Sequence, residues 1–159
     1  MEKETQNLFK KADFAAAIGD YQNAKQMLDE ILAQDSENAK AWYEKSKLPV
    51  LQEDAVVIQG CNVSVSKYQS LDTTQKARYL QQCGLPYSQA LDGDSLLQIN
   101  ILIEKERIKY LEKAVKYTKS EKTKYKKELS KLKAKNSKRG QIENKSVFRI
   151  SLMDLIRKR

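Results

Sequence analysis

The stretch that decides the fold runs from Leu8 to Trp42 and reads LFKKADFAAAIGDYQNAKQMLDEILAQDSENAKAW. Apolar residues recur every three or four positions on both sides of its single glycine, which is the spacing of amphipathic helices. Gly19 can adopt the positive φ that ends a helix, and Asp20 can cap the next one. Because the connections are short, we predict three helices in which consecutive members lie antiparallel.

The same stretch carries a periodicity of 34 residues. Leu8 and Trp42 lie 34 positions apart, and the small residues Ala12 and Ser46 are separated by the same distance. This period, with small residues where two helices approach closely, resembles the tetratricopeptide repeat. The resemblance covers about residues 5–48, which is one repeat and the first helix of a second, and Pro49 interrupts the pattern. It implies a helical scaffold that binds other proteins.

A single repeat of this kind cannot bury both of its own faces, so the rest of the chain must supply the missing core. In the family, the first helix of each repeat lines the concave, ligand-binding face. The resemblance therefore implies a protein-binding groove that includes Asp13, Tyr43 and Lys47. Phe9 and Asp13 stand where the family's clamp for a C-terminal carboxylate uses lysine and asparagine, so that type of ligand is not implied.

The composition excludes most catalytic chemistry. The 159 residues include no histidine, which removes Ser-His-Asp and Cys-His nucleophiles and imidazole metal ligands. Cys61 and Cys83 provide too few thiolates for a structural zinc site, and we expect both to be reduced. The five glycines are scattered and form no phosphate-binding loop. We therefore expect no enzymatic activity, no catalytic residue, no cofactor and no metal.

The overall composition also favours one fold class. With 40% apolar residues, 32% charged residues, five glycines and two prolines, we predict an all-α fold in which the repeat-like hairpin is extended by further helices. No apolar run approaches the roughly 20 residues of a membrane span. The first four residues lack the basic-then-apolar order of a secretory signal. We expect no membrane span and a cytoplasmic location.

The middle of the chain, residues 55–68, is compatible with two structures. Its β-branched residues alternate around Gly60 as in a short β-hairpin, yet Val57, Cys61, Ser64 and Tyr68 also share one helical face. We favour the helix, because an isolated hairpin is only marginally stable. The following segment is clearer, since Asp72-Thr73-Thr74-Gln75 is a capping-box pattern that predicts a helix ending at Gly84.

The C-terminal part begins with a long helical pattern. Apolar residues between Leu97 and Val115 follow the alternating spacing of a heptad seam, which Glu104 interrupts. This coiled-coil-like seam could support a homo-oligomer. Thr118 and Glu121 form a second capping pattern, which would divide the region into a helical hairpin.

Charge is distributed unevenly along the chain. Residues 1–100 carry a net charge of −4 and residues 101–159 carry +13. A basic patch comprises Lys119, Lys122, Lys124, Lys126, Lys127, Lys131, Lys133 and Lys135. Such a patch can bind the phosphate backbone of a nucleic acid, which is the alternative to a protein-binding adaptor. We favour the adaptor, because lysine rather than arginine dominates and no groove-reading motif is present.

The last segment, residues 147–159, is apolar with basic flanks. We expect it to fold back onto the helical core, with a docking peptide or an amphipathic membrane-surface segment as alternatives. The sequence thus predicts a helical domain at 1–117, a lysine-rich helix or linker at 118–146 and an amphipathic basic tail at 147–159.

Overall fold

The structure is a computed structural model that describes the backbone of residues 2–86 and 91–157 and the side chains of residues 2–86, 91–139 and 141. The described residues form helices α1 (Glu2–Ala17), α2 (Tyr21–Gln34), α3 (Ala39–Lys47), α4 (Val65–Ser70), α5 (Thr73–Gln82), α6 (Gly93–Tyr117) and α7 (Lys122–Arg157), and strands β1 (Ala55–Ile58) and β2 (Cys61–Ser64). The predicted all-α class is confirmed, with one short β-hairpin added to it. No helix in the described part of the chain is long and apolar enough to cross a membrane.

The first three helices follow the sequence pattern closely. Gly19 has a φ of +82° and separates α1 from α2, and the Asp20 side chain accepts a hydrogen bond from the Asn23 N–H at the start of α2. Ala12 and Ala24 lie in one buried cluster. Small side chains at these positions let the helix backbones approach closely, as the sequence predicts.

The favoured prediction of a helix over residues 55–68 is wrong for residues 55–64, which form the alternative β-hairpin, whereas residues 65–68 lie in α4. Gln59 and Gly60 both have positive φ, at 49° and 80°, which is the conformation of a tight hairpin turn. Val56 and Val63 are directly paired across the strands and are buried. They pack with residues of α5 and α6. That shared core stabilises a hairpin that would be marginal alone.

Asp54 connects the hairpin to α4. Its carboxylate accepts hydrogen bonds from the Ser66 N–H at 2.8 Å and the Ser66 hydroxyl at 2.6 Å, and also from the Ser64 hydroxyl. Ser64 caps α4 by accepting from the Lys67 N–H. The side chain of this one aspartate therefore fixes the exit of β2 and the start of the next helix.

The two remaining capping patterns also form as the sequence predicts. Asp72 and Gln75 exchange side-chain-to-backbone hydrogen bonds at the start of α5. Thr118 ends α6, and its hydroxyl accepts from the Glu121 N–H at 3.1 Å just before α7. The C-terminal region is therefore a helical hairpin, which confirms that interpretation of the capping pattern.

Helix α7 packs on α6 and contacts α3 through a third buried cluster. Its Tyr125 joins Leu111 and Ala114 of α6 and Tyr43 of α3 in that cluster. The helix continues without a break through Gly140 to Arg157. The predicted division at residues 117 and 146 stays a prediction, and the side chains of the 147–159 tail lie outside the described residues.

Candidate binding surfaces

The residues of the predicted groove do not form one open surface. Asp13 is exposed on α1, whereas Tyr43 is only 6% exposed. The Tyr43 ring stacks on Tyr125 with 4.2 Å between ring centroids, and its hydroxyl donates to Glu128 Oε1 at 2.9 Å. Burial and the neighbouring Glu128 carboxylate raise the pKa of Tyr43. This tyrosine therefore lies beneath α7 and joins α3 to it, so a ligand cannot reach its ring while α7 is docked.

Two lysines flank the contact between α3 and α7. Lys47 Nζ lies 4.2 Å and Lys124 Nζ lies 5.2 Å from the centroid of the Tyr43 ring. Lys47 also pairs with Glu44 at 2.8 Å. Cations over an aromatic face add stability, although exposed examples contribute only about 0.5–1 kcal/mol. Lys47, one of the predicted groove residues, thus lies at the edge of the contact between α3 and α7 and stabilises it.

A buried lysine fixes α3 on α6, and sequence reasoning missed it. Lys45 is only 6% exposed and forms an ion pair with Asp29 of α2. Its ammonium lies 4.6 Å from the ring centroid of Tyr110 and 5.3 Å from that of Trp42. One sequence cannot indicate that a lysine of an amphipathic helix is buried.

The seam of α6 is occupied within the chain. Leu111 is fully buried, and Glu104 is buried against α7, where Oε1 accepts from Lys135 Nζ at 3.0 Å and Arg139 Nη1 at 2.7 Å. Leu111 and Glu104 therefore do not face solvent while α7 is docked, and a homo-oligomer through the Leu97–Val115 seam stays a prediction. The interruption at Glu104 is the point where α7 is fixed in register.

All eight lysines of the basic patch are exposed. Three of them form ion pairs, Lys124 with Glu121, Lys133 with Glu112 and Lys135 with Glu104. Among the described residues, no ion pair involves Lys119, Lys122, Lys126, Lys127 or Lys131. At 3.6 residues per turn, the α7 lysines fall on both flanks of the helix, with Thr123, Ser130 and Ser137 between them.

A concavity lies between the β-hairpin and α6. This cleft has a volume of about 770 Å³ and is open to solvent. It is lined by Ala55, Val56, Val57 and Ile58 of β1, by Ser95, Gln98, Ile99, Leu102, Lys105, Glu106, Ile108 and Lys109 of α6, and by the neighbouring residues Leu51, Gln52, Glu53 and Asn136. Val57 is 68% exposed and Leu102 is 42% exposed, so two large apolar side chains on its walls face solvent.

The polar wall of the cleft has unsatisfied acceptors. Lys109 Nζ pairs with Glu106 Oε1 at 3.0 Å. The other oxygen, Glu106 Oε2, and Asn136 Oδ1 are buried without a partner in hydrogen-bond geometry among the described residues, and the buried Tyr110 hydroxyl interacts with the Glu106 carboxylate. An unsatisfied buried acceptor costs about 1–3 kcal/mol.

A second apolar patch lies on α1, near the N-terminus. Phe14 and Ile18 are 68% and 65% exposed and border a shallow depression of about 380 Å³ with Met27 of α2. Neither this patch nor the cleft was identified from the sequence. The packing of neighbouring elements determines that these apolar side chains stay uncovered.

No group of three or more histidine, cysteine or acidic residues in the described residues could hold an ion, and Cys61 and Cys83 are free thiols. A scan against protein-family models finds no match for this chain, and neither does a search of curated proteins. The likeness to the tetratricopeptide repeat therefore stays a prediction.

Proposed function

We propose that this protein is a non-enzymatic adaptor that binds a peptide or another protein. The observation that carries the proposal is the cleft between the β-hairpin and α6, with Val57 and Leu102 exposed on its walls. Exposed apolar patches of this kind typically mark interaction sites. The volume of about 770 Å³ lies within the usual range for ligand-binding concavities.

The rigidity of the surrounding helices supports this proposal. Arg107 on α6 donates to the Ser46 carbonyl of α3 at 2.6 Å, and the Trp42 and Tyr110 rings stack across the same interface. Asp54 anchors the hairpin on the other side of the cleft. A site held by fixed elements loses less conformational entropy on binding, so such a surface is suited to recognition.

A peptide selection tests the adaptor function. Peptides enriched from a random dodecapeptide phage library on the full chain would be synthesised, and their binding measured by fluorescence anisotropy. We expect Leu102→Asp to weaken binding at least about tenfold, because a charge would replace an apolar contact. Phe14→Asp is the matched control at the α1 patch. The proposal fails if no enriched peptide binds the protein in solution.

The exposed lysines of α7 favour nucleic-acid binding as a second candidate function. Five lysines of the basic patch have no acidic partner in the described part of the chain, and α7 presents four of them, on both flanks of a docked helix. Such an arrangement can follow a phosphate backbone without reading its sequence. Affinity for duplex DNA would then fall steeply with salt.

A salt-titrated mobility-shift assay tests this candidate. The variant Lys126→Gln/Lys127→Gln/Lys131→Gln would reduce the slope of log K against log salt by about 3, since each phosphate contact contributes about 0.9. A control variant, with Gln at Lys3, Lys10 and Lys11, changes the net charge equally on the acidic N-terminal part. Equal losses in both variants would indicate only a general charge effect, and absence of binding at low salt would exclude this function.

A further inference from the structure

Strand β1 has an unpaired main-chain edge. The described residues contain a single sheet of two strands, in which β1 pairs with β2 alone. A two-residue turn places its flanking residues, Ile58 and Cys61, in a hydrogen-bonded pair, and the pairs alternate from there along the ladder. The N–H and C=O groups of Ala55 and Val57 therefore point away from β2.

Hydrogen bonds at the other end of the hairpin support this register. Ser64 lies opposite Ala55, and its N–H leaves the sheet to donate to the Tyr79 hydroxyl at 2.9 Å. The Val65 N–H, one residue further, donates to the Asp54 carbonyl at 2.8 Å. Asp54 and Val65 are therefore the next hydrogen-bonded pair, as the alternation requires. No group within residues 2–86 or 91–139 hydrogen-bonds to the outer edge of β1.

The cleft follows this free edge. Val56 and Ile58, which face the core, line it together with Ala55 and Val57, which face outward. Successive side chains of a strand point to opposite faces, so a cavity over one face would meet only alternate residues. A cavity that meets all four lies along the edge. Leu102 on α6 belongs to the opposite wall.

We propose that the cleft binds an extended segment of a partner protein, which adds to β1 as a third strand. This inference rests on the proposed binding function and specifies its mode. The main chain of the segment pairs with Ala55 and Val57, and its apolar side chains pack against Leu102. A lysine or arginine on the segment pairs with the carboxylate of Glu106, which lines the cleft.

Proline substitution on the free edge tests strand addition. Val57→Pro removes an N–H that points away from β2, so the bonds within the hairpin are kept. Ala55→Pro does the same at the first residue of the strand. Val57→Thr is the matched control, because threonine keeps both the N–H and the β-branched shape. All variants are made in the full chain, and helical circular dichroism and Trp42 emission verify that each one folds.

The probes are the synthetic peptides selected from the random dodecapeptide library. We expect the peptides that bind to carry alternating apolar residues and a basic residue. Val57→Pro should weaken the binding of these peptides at least about tenfold. Val57→Thr should change the dissociation constant by less than about threefold. In the wild-type protein, saturating peptide should slow hydrogen exchange of the Ala55 and Val57 amides.

The outcomes separate this inference from the broader function. Peptides that bind both proline variants as well as the wild type, or that leave the Ala55 and Val57 amides unprotected, would overturn strand addition while leaving the adaptor function intact. If no enriched peptide binds, both proposals fail. Should Val57→Pro fail to fold, Ala55→Pro and the exchange measurement on the unmodified protein decide the question.

Discussion

Replacing Tyr125 with alanine should release α7 from the rest of the protein. The Tyr125 side chain is 5% exposed, and its ring lies 4.2 Å from that of Tyr43, centroid to centroid. Truncating a buried aromatic residue costs about 3–5 kcal/mol. We expect about 3 kcal/mol here, at the lower end, because the cluster is small and its partners Leu129 and Leu132 are only partly buried.

The loss should be local rather than global. Helix α7 joins the described core mainly through Tyr125, Leu129 and Leu132, whereas the buried residues of the α1–α2–α3 cluster are a different set, which touches the α7 cluster through Trp42. Elements with few buried contacts open as independent units. A loss of about 3 kcal/mol corresponds to an opening equilibrium roughly 100-fold larger. Amides of residues 126–135 should therefore exchange roughly 100-fold faster in Tyr125→Ala.

Hydrogen exchange followed by mass spectrometry measures this effect. Tyr125→Phe is the matched control, since it keeps the stacked ring, and it should leave the α7 rates within about threefold of the wild type. Amides within α2 should be unaffected by either change. Unchanged α7 rates in Tyr125→Ala would refute docking through this residue, and an equal acceleration along the whole chain would refute the independence of α7.

Three further predictions concern the contacts that fix the fold. Arg139→Ala should destabilise the protein by about 2 kcal/mol in urea titrations, because the buried Glu104 carboxylate loses a partner, whereas Glu104→Leu should be nearly neutral; the reverse order would contradict this explanation. Asp54→Ala should lower stability by about 2 kcal/mol and accelerate amide exchange in β1, since three hydrogen bonds to its carboxylate are lost; unchanged exchange in β1 would exclude that anchoring role. The folded-state pKa of Tyr43 is raised. The stability that the protonated Tyr43 adds to the folded state is therefore complete below about pH 10, the pKa of an unfolded tyrosine, and is lost as the pH rises above that value. Thermal unfolding of Tyr43→Phe should therefore show a weaker alkaline decline than the wild type, and identical declines would disprove the contribution.

The sequence predicted the elements whose signals are local. Gly19, the Asp72 capping box and the Thr118 break each act through the few residues around them, so a single sequence was enough to place them. The candidate site was predicted much less well. Of its groove residues, Tyr43 is covered by α7, and the cleft beside Val57 was not identified, since exposure of an apolar residue depends on what packs beside it.

What the sequence alone determined was therefore the helical class, the boundaries set by caps and glycines, and the distribution of charge. Only the tertiary structure decided that residues 55–64 pair as strands and that α7 covers Tyr43. The physical reason is the range of the interactions. Caps and turns depend on hydrogen bonds within about four residues, whereas a marginal hairpin and a lysine-rich helix are stabilised by apolar surface that distant segments bring to them.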